Sequence, residues 1–351
     1  MLTGGSGPLE LGASPALPER SRPVPSILRL GLFWVAFQSA VPVTAGSSWK
    51  IHDLRNIPGK EAVVILVDRL GNKWIGTHGG LAELTRTGDW KLFNRGNTGG
   101  YLGSDSITAL ASDSNDNVWV GTRSGGLSVY GNGVWRNHTF ASTRGGLPDN
   151  RITGLSVASG KDVWVGTQNG FAKLSGSAWT TYSSDKISGR LPNRAITAIA
   201  AEGKSDVWIG TIAGLVRFNG SGWTLFTKAN TNGGLPHNSI TSISISPSGV
   251  KWIGTFRGIA SMTGTAWTSF SESAPLELRD AQIFRTYTDS REGEWIAFKG
   301  GAAHWNGQSW RLFTKSNTDG GVPTIYVNTV MPEDNGTIWF GTHEGLSQFI
   351  P

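Results

Sequence analysis

The hydrophobic and polar positions between Ile152 and Tyr182 fall into four short runs. They are Ile152–Val157, Asp162–Thr167, Gly170–Leu174 and Ala178–Tyr182, each rich in β-branched or aromatic residues and bounded by Gly, Ser or Asn. Such runs, separated by gaps of two or three residues, are typical of antiparallel strands joined by tight turns. No segment after residue 50 keeps an apolar period of 3.6 residues, so the pattern predicts strands and no helix there.

This unit recurs along the chain, and two series of tryptophans mark the recurrence. The first series is followed by a hydrophobic residue and, in most copies, by Gly-Thr, and consists of Trp74, Trp119, Trp164, Trp208, Trp252, Trp295 and Trp339. The second series consists of Trp49, Trp90, Trp135, Trp179, Trp223, Trp267 and Trp310. A repeat of roughly 40–50 residues built from short strands indicates one blade of a β-propeller per repeat. The sequence therefore predicts an all-β, seven-bladed propeller of four-stranded antiparallel blades.

The phase of the two series predicts how the ring closes. After Trp339 the chain supplies one more strand and ends at Pro351, so the last blade lacks its outer strand. At the other end, Ser47–Ile51 carries a second-series tryptophan with no first-series partner before it. We expect this N-terminal strand to complete the seventh blade beside Ser347–Ile350, which removes free sheet edges.

Composition and charge narrow the function classes. The net charge of +6 comes from scattered Lys and Arg with no long basic run, so nucleic acid is not an expected partner. The absence of cysteine excludes disulfides and cysteine-ligated metal sites. No phosphate loop, dinucleotide fingerprint or Gly-x-Ser-x-Gly elbow is present. We expect no cofactor and no metal.

Residues 1–45 have the pattern of a leader with a secretory signal. Three arginines precede the apolar run Leu30–Val43, and small residues follow before Gly46. The run is too short for an ordinary membrane span. We therefore expect a propeller over residues 46–351 that is periplasmic or secreted, monomeric, and without a stable membrane span once the signal is removed.

Several repeats resemble the two-component regulator propeller family. The resemblance rests on Asn117–Leu127, Asp206–Leu215 and Thr337–Leu346, and on the linking segments Gly145–Thr153, Gly189–Thr197 and Gly233–Thr241. It implies a ligand-sensing or protein-interaction propeller, often the periplasmic part of a sensor kinase. Because no kinase segment follows in this chain, we expect a stand-alone binding propeller.

Positions that vary between blades predict a binding site. In a propeller, the turn after the second strand and the link into the next inner strand lie on one face, around the channel mouth, and loops on a rigid scaffold concentrate binding residues. The turns supply the candidate ligand-binding residues His78, Arg123, Gln168, Phe256, Arg257, Lys299, His343 and Glu344. The links supply Lys60, Asp105, Asn150, Arg194, Asn238, Ala281 and Ile325. We expect a mouth that is cationic and histidine-bearing at blades 6, 7, 1 and 2 and more apolar at blades 4 and 5. It suits a small ligand, anionic or carbohydrate-like.

The sequence leaves two alternative functions open. Streptogramin lyases are seven-bladed propellers with a similar repeat rhythm. By analogy of fold alone, a metal-assisted lyase of this kind would use His343, Glu344 and His78 as its candidates for the base and the metal site. A protein-interaction scaffold is the other alternative. It is suggested by Ser271–Gln282, which lacks the usual Gly-Gly-Leu-Pro segment, and by the altered motif after Trp295. A partner protein is thus an alternative to a small-molecule or oligosaccharide ligand.

Overall fold

The chain forms a ring of seven four-stranded antiparallel sheets, which confirms the predicted seven-bladed propeller. A computed structural model describes residues 48–52, 58–158, 161–183, 185–187 and 189–351. The expected leader over residues 1–45 and the domain boundary at residue 46 lie outside the described residues. Within the described ranges, no helix is long and apolar enough to span a membrane.

Each blade runs from an inner strand to an outer strand in chain order. The inner strands are β2 Ala62–Val67, β6 Ile107–Ser112, β10 Ile152–Val157, β14 Ala198–Glu202, β18 Ile240–Ile245, β22 Ile283–Thr288 and β26 Val327–Pro332. The second strands are β3 Lys73–Thr77, β7 Val118–Thr122, β11 Val163–Thr167, β15 Asp206–Thr211, β19 Lys251–Thr255, β23 Glu294–Phe298 and β27 Ile338–Thr342.

The two remaining strands of each blade complete it towards the outside of the ring. The third strands are β4 Leu81–Leu84, β8 Leu127–Gly131, β12 Gly170–Ser175, β16 Gly214–Phe218, β20 Ile259–Thr263, β24 Gly301–Trp305 and β28 Gly345–Ile350. The outer strands are β5 Trp90–Phe93, β9 Val134–His138, β13 Ala178–Ser183, β17 Trp223–Phe226, β21 Ala266–Ser269, β25 Trp310–Phe313 and, in blade 7, β1 Ser48–His52.

The N-terminal strand closes the ring as predicted. β1 pairs antiparallel with β28, with Trp49 opposite Phe349. The Trp49 indole also contacts Phe340, with ring centroids 5.4 Å apart. The last joint of the ring, between blades 7 and 1, is further held by an ion pair of 2.9 Å between Lys73 Nζ and Glu333 Oε2.

One short helix departs from the all-strand prediction. α1 covers Leu276–Arg279, in the link between blades 5 and 6 that lacks the Gly-Gly-Leu-Pro segment. Its first turn follows Pro275, whose carbonyl accepts hydrogen bonds from the N–H groups of Leu278 and Arg279. Leu278 is buried whereas Leu276 is exposed, so the helix replaces the usual link by burying a single leucine.

The glycine of each Gly-Thr pair allows neighbouring blades to approach closely. A Cβ added to Gly76, Gly121 or Gly210 would lie 2.6–2.7 Å from the isoleucine that begins the next inner strand. That distance is far inside van der Waals contact. The small side of the second strand therefore receives a branched side chain of the next blade, and this contact repeats around the ring.

The first-series tryptophans are buried, and their indole N–H groups need acceptors. In five blades the acceptor is a carboxylate six residues earlier, at Asp68, Asp113, Glu202, Asp289 and Glu333, with N–O distances of 2.6–3.0 Å. Blade 3 has Ala158 at this position, and Trp164 Nε1 is buried there with no hydrogen-bond partner among the described residues. An unsatisfied buried donor costs stability.

The second-series tryptophans pack against the links. A Cβ added to Gly146 or Gly234 would lie 2.5–2.8 Å from the Cβ of Trp179 or Trp267, and Gly321 lies in the same way against Trp49. The second glycine of the link therefore leaves space for the outer-strand tryptophan of the blade that the link enters. This contact explains why the two features recur together in the sequence.

Replacing Trp49 by Ala should weaken ring closure. We expect a loss of about 3 kcal/mol in the free energy of unfolding, because the substitution removes a large aromatic side chain packed at the last joint. Denaturant unfolding monitored by circular dichroism measures this loss. Lys50→Ala, on the exposed face of the same strand, is the control. An equal effect of the two substitutions would contradict the closure role.

Replacing Ala158 by Asp should stabilise blade 3. The new carboxylate would accept the hydrogen bond of Trp164 Nε1, as in the five blades that have a carboxylate at this position. This should raise the free energy of unfolding by about 1 kcal/mol. Ala158→Val adds comparable volume without an acceptor and should not stabilise. A gain for Val alone, or for neither variant, would contradict this account of the missing acceptor.

Candidate functional site

The channel mouth is lined by the turns that join the second and third strands. In six blades the last residue of the second strand is a fully buried threonine. Thr77, for example, donates from Oγ1 to the Gly80 carbonyl over 2.9 Å and accepts the Gly79 N–H over 3.0 Å. The repeated Gly-Thr is therefore structural. It directs the residue that follows it, the rim residue, towards the mouth.

Main-chain hydrogen bonds hold the rim residues in place. The N–H groups of Arg123, Gln168 and Lys299 donate to the carbonyl of the residue just before the inner strand of their own blade. The turns also bond to the next link, since Gly126 N–H donates to Asn150 O and Gly300 N–H donates to Ile325 O. The mouth is thus a rigid ring of backbone from which variable side chains project.

One half of this ring carries a continuous chain of side-chain contacts. Lys299 Nζ lies 5.7 Å from the centre of the Tyr326 ring, and Tyr326 stacks on His343 with ring centroids 4.7 Å apart. His343 Nε2 lies 3.1 Å from Glu61 Oε1. His78 Nε2 approaches the other oxygen of the same carboxylate at 3.8 Å. Each rim residue in the chain contacts the pre-strand residue of the next blade.

Two further polar contacts, one to Glu61 and one to His78, extend this chain. Asn328 Nδ2 donates to Glu61 Oε1 over 3.1 Å, and His78 Nδ1 lies 3.0 Å from Ser106 Oγ. The side chains of His78 and His343 remain 44% and 45% exposed. The two imidazoles are therefore oriented by one carboxylate while each keeps an open edge towards solvent.

The opposite half of the mouth is apolar. Ile212 and Phe256 occupy the rim positions of blades 4 and 5 and are 56% and 49% exposed. The Phe256 ring contacts His237, with centroids 5.9 Å apart. Exposed large apolar side chains on a rigid rim are typical of recognition surfaces. The mouth combines a polar half and an apolar half.

The structure places all eight candidate residues in the turns at the mouth, but it brings only some together. His78, Lys299 and His343 belong to the contact chain. Arg123, Gln168, Arg257 and Glu344 are exposed, and their side chains make no hydrogen bond or ion pair with the described residues. Phe256 belongs to the apolar half.

Sequence reasoning missed Glu61 and Tyr326. Both lie one residue after the link positions that were selected, Lys60 and Ile325. Some selected link residues instead have local roles, since Asn150 Oδ1 accepts the Phe140 N–H and Asn238 Oδ1 accepts the Lys228 N–H, each over 2.7 Å. An alignment of the repeats at the residue immediately before the inner strand would have shown a carboxylate and an aromatic ring there.

Comparison with known families identifies the repeat. The family model described as two component regulator propeller matches residues 101–124, which span a link and the first two strands of blade 2. The same arrangement recurs in the other blades. Blade 2 thus contains a repeat of the two-component regulator propeller type. A search of curated proteins finds no significant match.

Solved structures share the fold of this chain at low sequence identity. The extracellular domain of the hybrid two-component system BT3049 from B. thetaiotaomicron is 17% identical, with a TM-score of 0.72 over 86% of this chain and 41% of that one. Virginiamycin B lyase from Staphylococcus aureus is 12% identical, with a TM-score of 0.65 over 87% and 99%. The chain spans about two fifths of the first two structures.

A third relative shows that the fold also occurs in secretion systems. PorZ, a surface component of the type-IX secretion system of Porphyromonas gingivalis, is 16% identical, with a TM-score of 0.65 over 83% of this chain and 47% of that one. At these identities the likeness shows the fold alone.

The propeller also has a cavity of about 1200 Å³ on the face opposite the mouth, which the sequence did not indicate. It is lined by turns between first and second strands, including Asp289 and Glu333. His304 stacks on Trp295 there, with centroids 4.2 Å apart, and burial lowers the pKa of His304. Glu333 is bound to Trp339 and Lys73. The acidic groups of this cavity thus largely hold blades together.

Among the described residues, no cluster of His, Asp and Glu has the arrangement of a metal site.

A buried carboxyl group in blade 6 has an altered pKa. Glu294 is fully buried. It accepts hydrogen bonds from Ser244 Oγ of blade 5 and from Thr288 Oγ1, over 2.5 and 2.6 Å. Burial raises the pKa of Glu294 from 4.5 to about 8, although the two hydroxyl groups oppose the shift. The carboxyl group is therefore protonated at neutral pH in the folded protein.

This shift makes stability depend on pH. The unfolded chain releases the Glu294 proton near pH 4.5 and the folded chain near pH 8. The stabilising contribution is thus complete below pH 4.5 and is lost as the pH rises through 8. Glu294→Gln should flatten the dependence and be the more stable form at pH 9 by roughly 2 kcal/mol or more. Denaturant unfolding of both proteins between pH 5 and 9 measures the pH dependence of the free energy of unfolding. The control is Glu277→Gln, at an exposed position. Parallel curves for wild type and Glu294→Gln would contradict it.

Proposed function

We propose that this propeller is a non-catalytic binding module that recognises a small anionic ligand, of the uronic-acid oligosaccharide class, at the channel mouth. The observation that carries the proposal is the contact chain from Lys299 through Tyr326, His343 and Glu61 to His78. It presents an ammonium group and two imidazole edges on rigid turns. A fixed framework with variable, convergent polar groups is the usual form of a ligand site.

The charges at the mouth favour an anion. Lys299, Arg123 and Arg257 are exposed in the turns at the mouth, and Glu344 is the one exposed carboxylate among the candidate residues there. Glu61 already has partners in His343, His78 and Asn328. Groups of one sign around a concave surface attract ligands of the opposite sign and raise the rate of encounter. An anionic ligand can therefore gain hydrogen bonds here without competing with an unpaired carboxylate of the contact chain.

The apolar half favours a ligand that also has an uncharged face. Phe256 and Ile212 are exposed on the rim opposite the histidines. The C–H face of a sugar ring packs well on such side chains, while its carboxylate can reach the cationic half. A uronic-acid oligosaccharide combines these two properties in each residue.

A sensor role outside the cytoplasm fits the relatives. The extracellular domains of the hybrid two-component systems BT3049 and BT4673 from B. thetaiotaomicron share the fold. We include in the proposal that this chain is exported, acts outside the cytoplasm as a monomer, and responds to ligand or passes ligand occupancy to a partner.

A lyase is the second candidate. Glu61 between two imidazoles is the observation that favours it, because this arrangement can orient a general base, and streptogramin B lyase shares the fold with a TM-score of 0.65. Glu344, named with the histidines in this alternative, has an exposed side chain outside the contact chain. The binding proposal expects the ligand to be recovered intact.

Substitution of the rim tests the proposed function. The chain is titrated with trigalacturonate and with neutral galactotriose, and binding is measured by calorimetry and by thermal unfolding. Trigalacturonate should bind and the neutral trimer should bind more weakly. Changing Arg123, Lys299 and His343 together to Ala should raise the dissociation constant at least tenfold, since each lost charged hydrogen bond costs about 1.5–3 kcal/mol.

The matched control is Arg86→Ala, at an exposed arginine in the turn between the third and outer strands of blade 1, away from the mouth, which should leave affinity unchanged. Equal affinity of the triple variant and the wild type would exclude the mouth as the site. Mass spectrometry of the recovered trimer distinguishes the two functions, because a shortened or unsaturated product would favour the lyase.

A further inference from the structure

The inner strands that surround the channel carry almost no charge. Across all seven of these described strands, the charged residues are Glu202 and Arg285. Glu202 is the last residue of β14, where it accepts the Trp208 indole N–H and pairs with Lys251 Nζ at 2.6 Å. Arg285 is the third residue of β22 and lies near the mouth end of its strand. It is thus the one cation of the inner strands.

Arg285 occupies a register position where the other blades have small side chains. It pairs with Ala297 of the second strand. The equivalent residues, which pair with the second-strand glycine, are Val64, Ala109, Gly154, Ala198, Ser242 and Thr329. Blade 6 is therefore the one blade with a long charged side chain at this register position.

The Arg285 side chain crosses the channel. Its Nη2 donates to the main-chain carbonyl of Thr108 over 2.8 Å. Thr108 belongs to β6 of blade 2, three blades further round a ring of seven. The guanidinium group therefore lies within the channel, below the residues that immediately precede the inner strands.

Most of the hydrogen-bonding capacity of this group is unused. A guanidinium has five N–H donors, and the Thr108 carbonyl is its one acceptor among the described residues. No described carboxylate lies within ion-pair distance, and Arg285 keeps partial exposure to solvent. Burial lowers the pKa of Arg285, which reflects the loss of water around a group that stays charged at neutral pH.

We infer that Arg285 binds the carboxylate of the ligand that enters the mouth, as the deepest contact of the site. This inference rests on the proposed function and extends it from the rim into the channel. A planar guanidinium matches a carboxylate through two parallel hydrogen bonds. A carboxylate is favoured over a phosphate dianion because the inner strands offer one uncompensated positive charge, and a second negative charge would be left unpaired in a poorly hydrated channel.

The test observes Arg285 directly in the unsubstituted chain. The Nε–H resonance of Arg285 is recorded in protein labelled with ¹⁵N-arginine and assigned by its loss in Arg285→Lys. We expect a saturable shift on titration with acetate and with trigalacturonate, relative to sodium chloride of equal ionic strength. No saturable shift would overturn the inference and leave Arg285 as a structural brace between blades 6 and 2. Tighter saturation by inorganic phosphate than by acetate would overturn the choice of a carboxylate.

Affinity measurements separate this inference from the proposed function. Arg285→Gln should weaken trigalacturonate binding at least tenfold, and Arg285→Lys should weaken it less because the charge remains. Loss of binding in the rim triple variant with unchanged binding in Arg285→Gln would overturn the inference and leave the proposed function intact. Unchanged binding in both variants would overturn both.

Discussion

The close approach of each second strand to the next inner strand is the constraint on which the ring depends. Five glycines, Gly76, Gly121, Gly166, Gly210 and Gly254, each face an isoleucine at a distance that no side chain could share. Where blade 6 has Ala297 instead, the next inner strand begins with Val327, a smaller residue, in the same core cluster. At the closing joint Gly341 faces Ala62. At each joint, the second-strand residue and the residue that faces it in the next blade must together remain small. Blade 6 shows this, since its larger Ala297 faces the smaller Val327.

This constraint also fixes the site. Drawing the inner strands together gives a narrow channel, and the threonine after each glycine closes the turn that carries a rim residue. The rim residue itself lies outside the buried core between blades. The scaffold therefore leaves seven positions free to vary without loss of stability, and the differences among them, from His78 to Phe256, can reflect recognition.

The repeat made most of the fold predictable from sequence, because the same packing requirement acts seven times. Trp74 and its equivalents marked the second strands, and the unmatched Trp49 indicated the strand exchange at closure. The site was predictable only to the level of the face. Glu61 and Arg285 were missed because their contacts join different blades, as from Arg285 to Thr108 and from Glu61 to His343. Such contacts depend on how far a side chain extends in space and do not follow from spacing along the chain. α1 was missed because one buried leucine, Leu278, gives no helical period.

Residue-resolved modification of histidines by diethyl pyrocarbonate is the most direct test of where ligand binds. His78 and His343 are exposed at the mouth, whereas His304, 21% exposed, reports on the cavity of the opposite face. Labelling rates are followed by mass spectrometry with and without saturating trigalacturonate. A site at the mouth predicts that the ligand slows modification of His78 and His343 several-fold and leaves His304 unchanged. Protection of His304, with His78 and His343 reacting as before, would contradict it.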